Sequence, residues 1–109
     1  MIRMRQPMTQ LDVFANPNRR MRPSYPLLAV LQARVVDGKT RVVAPLIPAT
    51  VGLPVSRLLP VVEHQGQRYA VAVELVTNLP ARLLRDPVGS IAQYRDDLIR
   101  AIDWLFCGI

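Results

Sequence analysis

The spacing of apolar residues changes once along the chain, and this change limits the folds that the sequence can adopt. Before residue 90 the apolar residues fall in short runs or alternate with polar ones, which is typical of strands. After Ser90 they recur at steps of three and four, the spacing of one face of an amphipathic helix. The residues on that face are Ile91, Tyr94, Leu98, Ile102, Leu105 and Phe106. The order is therefore strands first and one helix last.

Local signals mark both ends of this helix. Ser90, followed three residues later by Gln93, makes a capping-box pattern, in which each side chain satisfies a backbone N–H of the first turn. Neither glycine nor proline occurs within 90–107, and Gly108 is placed to end the helix in a left-handed conformation. The sequence predicts a helix over 90–107.

The first predicted β-hairpin lies in the N-terminal half of the chain. A segment with alternating apolar residues, 9–15, precedes it. The long apolar run at 27–36 and the segment 40–46 are separated by Asp37-Gly38, a strong short turn signal. These features predict two antiparallel strands joined by a tight turn.

A second hairpin is predicted from 57–64 and 68–75, with the turn at 65–67. Because side chains alternate along a strand, one face of the second strand is apolar. That face carries Tyr69, Val71 and Val73, and the other carries Arg68, Ala70, Ala72 and Glu74.

Prolines and asparagines indicate where loops and turns interrupt the predicted strands. The loop 16–26 is rich in proline, asparagine and arginine and is unsuited to a central strand. Pro45, Pro48 and Pro54 are expected to divide the following segment into short edge-like pieces and turns. The segment 75–85 is expected to supply one more short strand or turn.

These elements predict a mainly β fold with one C-terminal α-helix. The expected architecture is a small, largely antiparallel barrel or curled sheet, with the helix packed on or beside it. Residues 1–8 show no periodicity and predict a disordered N-terminal extension, followed by a single domain over 9–109.

Composition excludes several classes of protein. The chain has no apolar run of the roughly 18–20 residues that a membrane span needs. No apolar stretch follows the arginines of the N-terminus, as a secretory signal would require. The one cysteine allows no internal disulfide, which agrees with a reducing compartment. We therefore expect a cytoplasmic protein.

The net charge of +6 is unevenly distributed along the chain. Residues 1–22 hold five arginines and one acidic residue, for +4, whereas the remaining 87 residues hold nine basic and seven acidic groups, for +2. A protein that binds nucleic acid usually concentrates basic side chains on one face. The last helix is instead mixed in sign, so the sequence disfavours a direct nucleic-acid site.

Candidate catalytic residues are few. His64, the only histidine, is expected to be exposed where a strand enters a turn. Reactive cysteines usually lie at a helix N-terminus or beside a cation, and Cys107 is at the other end of its helix. One histidine and one cysteine do not supply the ligands of a zinc site. The sequence predicts no catalytic residue, metal site or cofactor.

Four segments carry a resemblance to a known family. They read "TQLDVFANPN", "VVAPLIPA", "RLLPVVEHQGQRY" and "DDLIRAIDWLFCGI". In their order and spacing these segments resemble the CcdB family of toxin proteins. The strongest motif runs from Arg41 to Leu46. The resemblance covers nearly the whole chain, from about Thr9 to Ile109.

The resemblance implies a fold, partners and an activity. The fold is an SH3-like antiparallel β-barrel with a C-terminal helix, of the wider CcdB/MazF class, assembled as a homodimer. The partners are a CcdA-type antitoxin and the A subunit of DNA gyrase, whose cleavage complex with DNA the toxin traps. DNA is contacted only indirectly, through the antitoxin or gyrase.

The resemblance also implies which residues contact gyrase. At the C-terminus these are Asp103, Phe106, Cys107, Gly108 and Ile109. At the first hairpin they are Val35, Val36 and Asp37. Cys107 stands where the family has tryptophan, and Asp103 replaces a family asparagine. Trp104, nearly one helical turn earlier, is a possible aromatic substitute, or else packs in the core or the dimer interface.

Other functions remain open at this point. In one alternative, a protein with the same fold binds the antitoxin and aids operon repression without poisoning gyrase. An endoribonuclease of the MazF branch would use arginines with an acid or His64 on a loop. A plain dimeric nucleic-acid module is a further alternative.

Overall fold

The computed structural model describes residues 10–31, 38–49 and 59–108. Within those ranges seven strands form one antiparallel sheet, and one α-helix, α1 (Arg95–Cys107), follows them. The strands are β1 (Asp12–Ala15), β2 (Leu27–Val30), β3 (Thr40–Pro48), β4 (Val61–His64), β5 (Gln67–Val71), β6 (Thr77–Pro80) and β7 (Gly89–Ser90). Their order is β4-β5-β3-β2-β1-β7, and β6 also pairs with β3. The sheet is nearly closed, which confirms the predicted barrel-like fold.

The prediction that prolines divide this segment is wrong for Pro45, which lies inside β3, a nine-residue strand that pairs with β2, β5 and β6. Pro48 is the last residue of β3, so the strand ends at that proline. Pro54 lies outside the described residues. The longest strand of the described sheet therefore contains two residues that lack a backbone N–H.

Strand register explains why Pro45 is tolerated. The backbone N–H of Leu31 donates to the carbonyl of Val42 (2.9 Å), so these two residues form a hydrogen-bonded pair. Bonded and non-bonded pairs alternate along antiparallel strands, and Leu28–Pro45, three positions further along, is therefore a non-bonded pair. The nitrogen of Pro45 therefore points away from β2. On its other side Pro45 accepts a hydrogen bond from Ala72 (2.9 Å), just after β5 ends. Because Pro45 has no N–H, it cannot donate a hydrogen bond on that side. This donor is absent only at the end of the β3–β5 pairing, so no hydrogen bond inside the ladder is lost.

Both predicted hairpin pairings are present. β2 pairs antiparallel with β3, although the turn residue Asp37 lies outside the described residues. β4 and β5 are joined by Gln65 and Gly66, with φ of 51° and 77°. Two successive residues with positive φ match the twist of a two-residue hairpin, which explains the glycine at the second position.

The second strand of that hairpin is shorter than predicted. β5 ends at Val71, and a 3-10 helix, Val73–Leu75, follows. Tyr69, Val71 and Val73 still enter the same buried cluster, as the alternation predicted. The segment 75–85 supplies β6, as expected.

The sheet is buried on both faces. Successive residues Val13 and Phe14 of β1 enter different clusters, because alternate side chains of a strand point to opposite faces. The main core is formed by Leu11, Val13, Ala29, Ala44, Leu46, Val62, Tyr69, Val71, Val73, Ile91, Leu98 and Ala101. The second core is formed by Phe14, Leu28, Val30, Val43 and Leu84.

Side-chain contacts connect β4 with β7, the strands at the two ends of the sheet order, and with Tyr94. The ring of His64 lies over Gly89, and the side-chain amide of Gln65 donates to the carbonyl of Val88 (3.4 Å). The backbone N–H of Glu63 donates to the Tyr94 hydroxyl (3.0 Å). We call these contacts the seam.

His64 is buried, with 8% of its surface exposed, so the prediction of an exposed turn histidine is wrong. It is the last residue of β4, as the sequence indicated, but its ring turns towards β7 and lies 6.3 Å from that of Tyr69. The ring packs against Gly89, 25 residues away in the chain, and local sequence does not reveal that contact.

The helix begins later than predicted. Ser90 belongs to β7, where it pairs with Asp12, and its hydroxyl accepts a hydrogen bond from the N–H of Ala92 (3.2 Å). A 3-10 turn, Ala92–Tyr94, separates β7 from α1. Pairing with β1 holds Ser90 extended, so it cannot cap α1. The other end is as predicted, since Gly108 has φ 70° and donates to the carbonyl of Trp104 (3.0 Å).

Candidate functional site at the tip of the C-terminal helix

One face of α1 packs on the sheet. Leu98 and Ala101 are buried in the main core, and Ile102 and Leu105 are half-buried against it. The last turn extends beyond the buried residues and leaves Phe106, Cys107 and Gly108 exposed. We call residues 103–108 the helix tip.

The helix tip presents two separate flanks. At about 100° per residue, Trp104 and Cys107 lie about 60° apart on one flank, while Phe106 lies about 160° from Trp104. Phe106 is 74% exposed and Trp104 is half-buried beside the packed face. Trp104 can therefore extend the surface around Cys107, but Phe106 stands on the opposite flank.

The end of α1 has a weakly negative potential. The helix contains two arginines and three aspartates, for a net charge of −1, and the backbone dipole adds negative potential at the C-terminal end. Arg100 pairs with Asp97 at 3.2 Å, and both side chains are largely exposed, so this pair contributes little to stability. Asp103 is exposed within the helix tip.

The structure shows where part of the predicted site lies, and the contact of these residues with gyrase stays a prediction. It brings Asp103, Trp104, Phe106, Cys107 and Gly108 together at one end of α1. Ile109 and the hairpin residues Val35, Val36 and Asp37 lie outside the described residues, so their contribution stays a prediction. Leu31, which precedes that hairpin segment, packs against the same main core as Ile102 and Leu105.

The sequence interpretation missed a second surface feature. A cavity of about 300 Å³ opens between the loop 16–26 and the segment 75–79. Its lining comes from Asn16, Asn18, Met21, Tyr25, Leu28, Pro45, Leu75, Thr77 and Leu79. In the sequence, Asn16 and Asn18 indicated only that the chain turns at the start of this loop, which forms one wall of the cavity. The opposite wall becomes visible only when β6 is placed beside β3.

Two further observations concern the described residues. They contain no grouping of three histidine, cysteine, aspartate or glutamate side chains close enough to hold a metal ion. No helix among them is long and apolar enough to cross a membrane.

The fold defines a class of small antiparallel β proteins with one C-terminal helix, and the last turn of that helix is exposed. The model of the family described as CcdB protein matches residues 10–108, and the chain belongs to the CcdB family. Membership implies, in general terms, a toxin–antitoxin protein that poisons gyrase. No curated protein sequence matches this chain.

Proposed function

We propose that this protein is the toxin of a type II toxin–antitoxin pair, and that it binds the A subunit of DNA gyrase through the helix tip. Bound there, it traps the gyrase–DNA cleavage complex in the cytoplasm. The observation that carries the proposal is the family match over residues 10–108, which includes an exposed tip with Phe106 74% accessible. A large exposed aromatic side chain commonly marks a protein contact.

The proposed mechanism is binding, without a chemical step by the toxin. A homodimer would present two helix tips, one for each half of a two-fold target. Phe106 would insert into a pocket on gyrase, while Asp103 and the negative end of the helix dipole would face its basic residues. A CcdA-type antitoxin would neutralise the toxin.

Cys107 supports a second candidate function. Replacement of a buried interface tryptophan typically costs about 2–4 kcal/mol, or about 30- to 1000-fold in affinity. A thiol cannot stack on an aromatic or guanidinium surface, so any stacking contact would have to come from Trp104 on the same flank of the helix. The alternative is therefore a protein that binds antitoxin and aids operon repression without poisoning gyrase.

The endoribonuclease alternative loses one of its two candidate bases. It would use arginines with an acid or His64 on a loop, whereas His64 is the end of β4 and its ring is packed over Gly89. A general base must reach the proton that it abstracts.

A gyrase cleavage assay tests the proposal. Purified protein is incubated with gyrase, ATP and supercoiled plasmid, and the reaction is stopped with detergent and protease. Poisoning gives linear DNA, because the trapped enzyme leaves a double-strand break. Plasmid that stays uncleaved at micromolar protein would reject gyrase poisoning and favour the antitoxin-binding alternative.

A further inference from the structure

Basic side chains from two separate segments come together where β3 begins. β3 pairs antiparallel with β6, and just beyond that pairing the N–H of Ala81 donates to the carbonyl of Lys39 (2.8 Å). The segment 38–41 therefore lies beside the start of the segment 81–85. We give the name basic surface to the four cationic residues of these segments, which are Lys39, Arg41, Arg82 and Arg85.

The backbone that carries the basic surface is held in place in both segments. Leu84 is buried in the second core, and its N–H donates to the carbonyl of Ala81 (3.0 Å). In the other segment, Nη1 of Arg41 donates to the carbonyls of Gly38 (2.6 Å) and Thr40 (2.9 Å). A surface that is ordered before binding loses less conformational entropy when a ligand arrives.

The protein itself neutralises little of this charge. Lys39, Arg82 and Arg85 are exposed, and among the residues that the structure describes none of the three has an ion-pair partner. The two segments contain four basic residues and no acid, for a charge of +3 when the adjacent Asp86 is included. Cations held near one another repel, and a bound polyanion would remove that repulsion.

Only the sheet makes these charges neighbours. Along the chain, the segments 38–41 and 81–85 are far apart, so the charge distribution in the sequence does not reveal a basic face. The family resemblance implies contact with DNA only through the antitoxin or gyrase. A direct contact by the basic surface would be additional to that role.

The side chains of the basic surface suit phosphates better than an acidic protein. A protein interface needs a core of several buried apolar side chains. Leu83, which is 41% exposed, is the one exposed large apolar residue in the two segments. A phosphate backbone needs only cations, and a guanidinium group can donate to two phosphate oxygens at once.

We propose that the basic surface binds the phosphate backbone of a nucleic acid without reading its bases. Lys39, Arg82 and Arg85 each contact a phosphate, and Arg41 adds its charge from the neighbouring strand. The basic surface and the helix tip are built from different elements. The inference therefore does not depend on gyrase as the target of the tip.

The test measures fluorescence anisotropy of two labelled probes, a duplex DNA of twenty base pairs and a single-stranded RNA of twenty nucleotides. Each is titrated with the full chain in the absence of gyrase and antitoxin, so the result is independent of the proposed function. Binding should saturate, and for the DNA three phosphate contacts predict that log K falls with log salt at a slope of about −3. Binding of either probe through the basic surface supports the proposal, and the comparison shows which nucleic acid is preferred.

Single-residue variants locate the contact. Lys39→Gln, Arg82→Gln and Arg85→Gln should each weaken DNA binding by about tenfold at low salt and reduce the salt slope by about one. The matched controls are Arg68→Gln and Arg95→Gln, which remove exposed arginines elsewhere. The controls should change the affinity by less than about twofold, since their charges lie outside the contact.

Several outcomes would overturn the proposal. These are no binding of either nucleic acid at millimolar protein and low salt, or an equal loss of affinity in the control variants. Binding that Arg19→Gln with Arg20→Gln abolishes, while the variants of the basic surface keep it, would place the contact on the loop 16–26. Binding of polyglutamate but not of nucleic acid, dependent on Arg82 and Arg85, would reassign the surface to an acidic protein.

Discussion

The imidazole ring of His64 occupies the space that a side chain at residue 89 would need. A Cβ placed on Gly89 would lie 2.7 Å from Nδ1 of His64 and closer still to its Cε1. Contacts that short are not tolerated in packed proteins, so one partner must move. The close approach of β4 and β7 therefore depends on glycine at one edge and an aromatic ring at the other.

Gly89→Ala should destabilise the protein by about 1–3 kcal/mol, because the new methyl group strikes the His64 ring. Urea unfolding measures the change. Gly38→Ala is the control, since a Cβ there meets nothing within 4 Å. In a His64→Ala background the cost of Gly89→Ala should fall below about 0.5 kcal/mol, because the obstructing ring is gone. Equal costs in both backgrounds would mean that the two residues do not meet.

Tyr94→Phe should cost about 1 kcal/mol of unfolding free energy, because it leaves the N–H of Glu63 without its hydroxyl acceptor. Backbone hydrogen exchange offers a local measurement, in which the amide of Glu63 should exchange faster while β2 and β3 change little. Tyr25→Phe removes a hydroxyl away from the seam and serves as the control. Unchanged exchange at Glu63 would contradict the contact.

Phe106→Ala should leave stability within about 0.5 kcal/mol of wild type, because the side chain is already 74% exposed. If the helix tip binds gyrase, the same change should raise the protein concentration needed for plasmid cleavage by about 30-fold or more. Leu83→Ala, which removes an exposed apolar side chain elsewhere, should alter neither quantity. Equal cleavage by Phe106→Ala would place the gyrase contact away from the tip.

Cys107→Trp should strengthen binding to gyrase, by up to about 30- to 1000-fold if the new ring is fully used at the interface. Surface plasmon resonance with the immobilised A subunit of gyrase measures the dissociation constant. Cys107→Ser is the control, because it keeps the size of the side chain and adds no ring. Tighter binding by the serine variant would show that the gain does not come from stacking, and no gain with tryptophan would argue against this location.

Signals from neighbouring residues predicted the elements that local conformation decides. Gly108 ends α1 with φ 70°, and Gln65-Gly66 forms the turn between β4 and β5. In both cases a glycine supplies a backbone conformation that other residues adopt at a cost. The alternation of Tyr69, Val71 and Val73 likewise identified side chains of one buried cluster.

The errors occur where distant partners override local preference. Ser90 has the pattern of a helix cap, but pairing with Asp12 holds it in β7. Pro45 looks like a strand breaker, but its nitrogen faces the end of the β3–β5 ladder. For Val35, Val36, Asp37 and Ile109 the predicted role in the site rests on the family resemblance.

The sequence by itself determined the order of strands and helix, the family, and the end of the helix at Gly108. These follow from periodicity and short motifs, which involve residues close together in the chain. Only the tertiary structure decided the burial of His64, the start of α1, the cavity beside the loop 16–26 and the exposure of Phe106, which the periodicity had placed on the apolar face of the helix. Each of these depends on contacts between segments far apart in the chain, such as Glu63 with Tyr94, 31 residues away. Such contacts form only when the whole sheet closes.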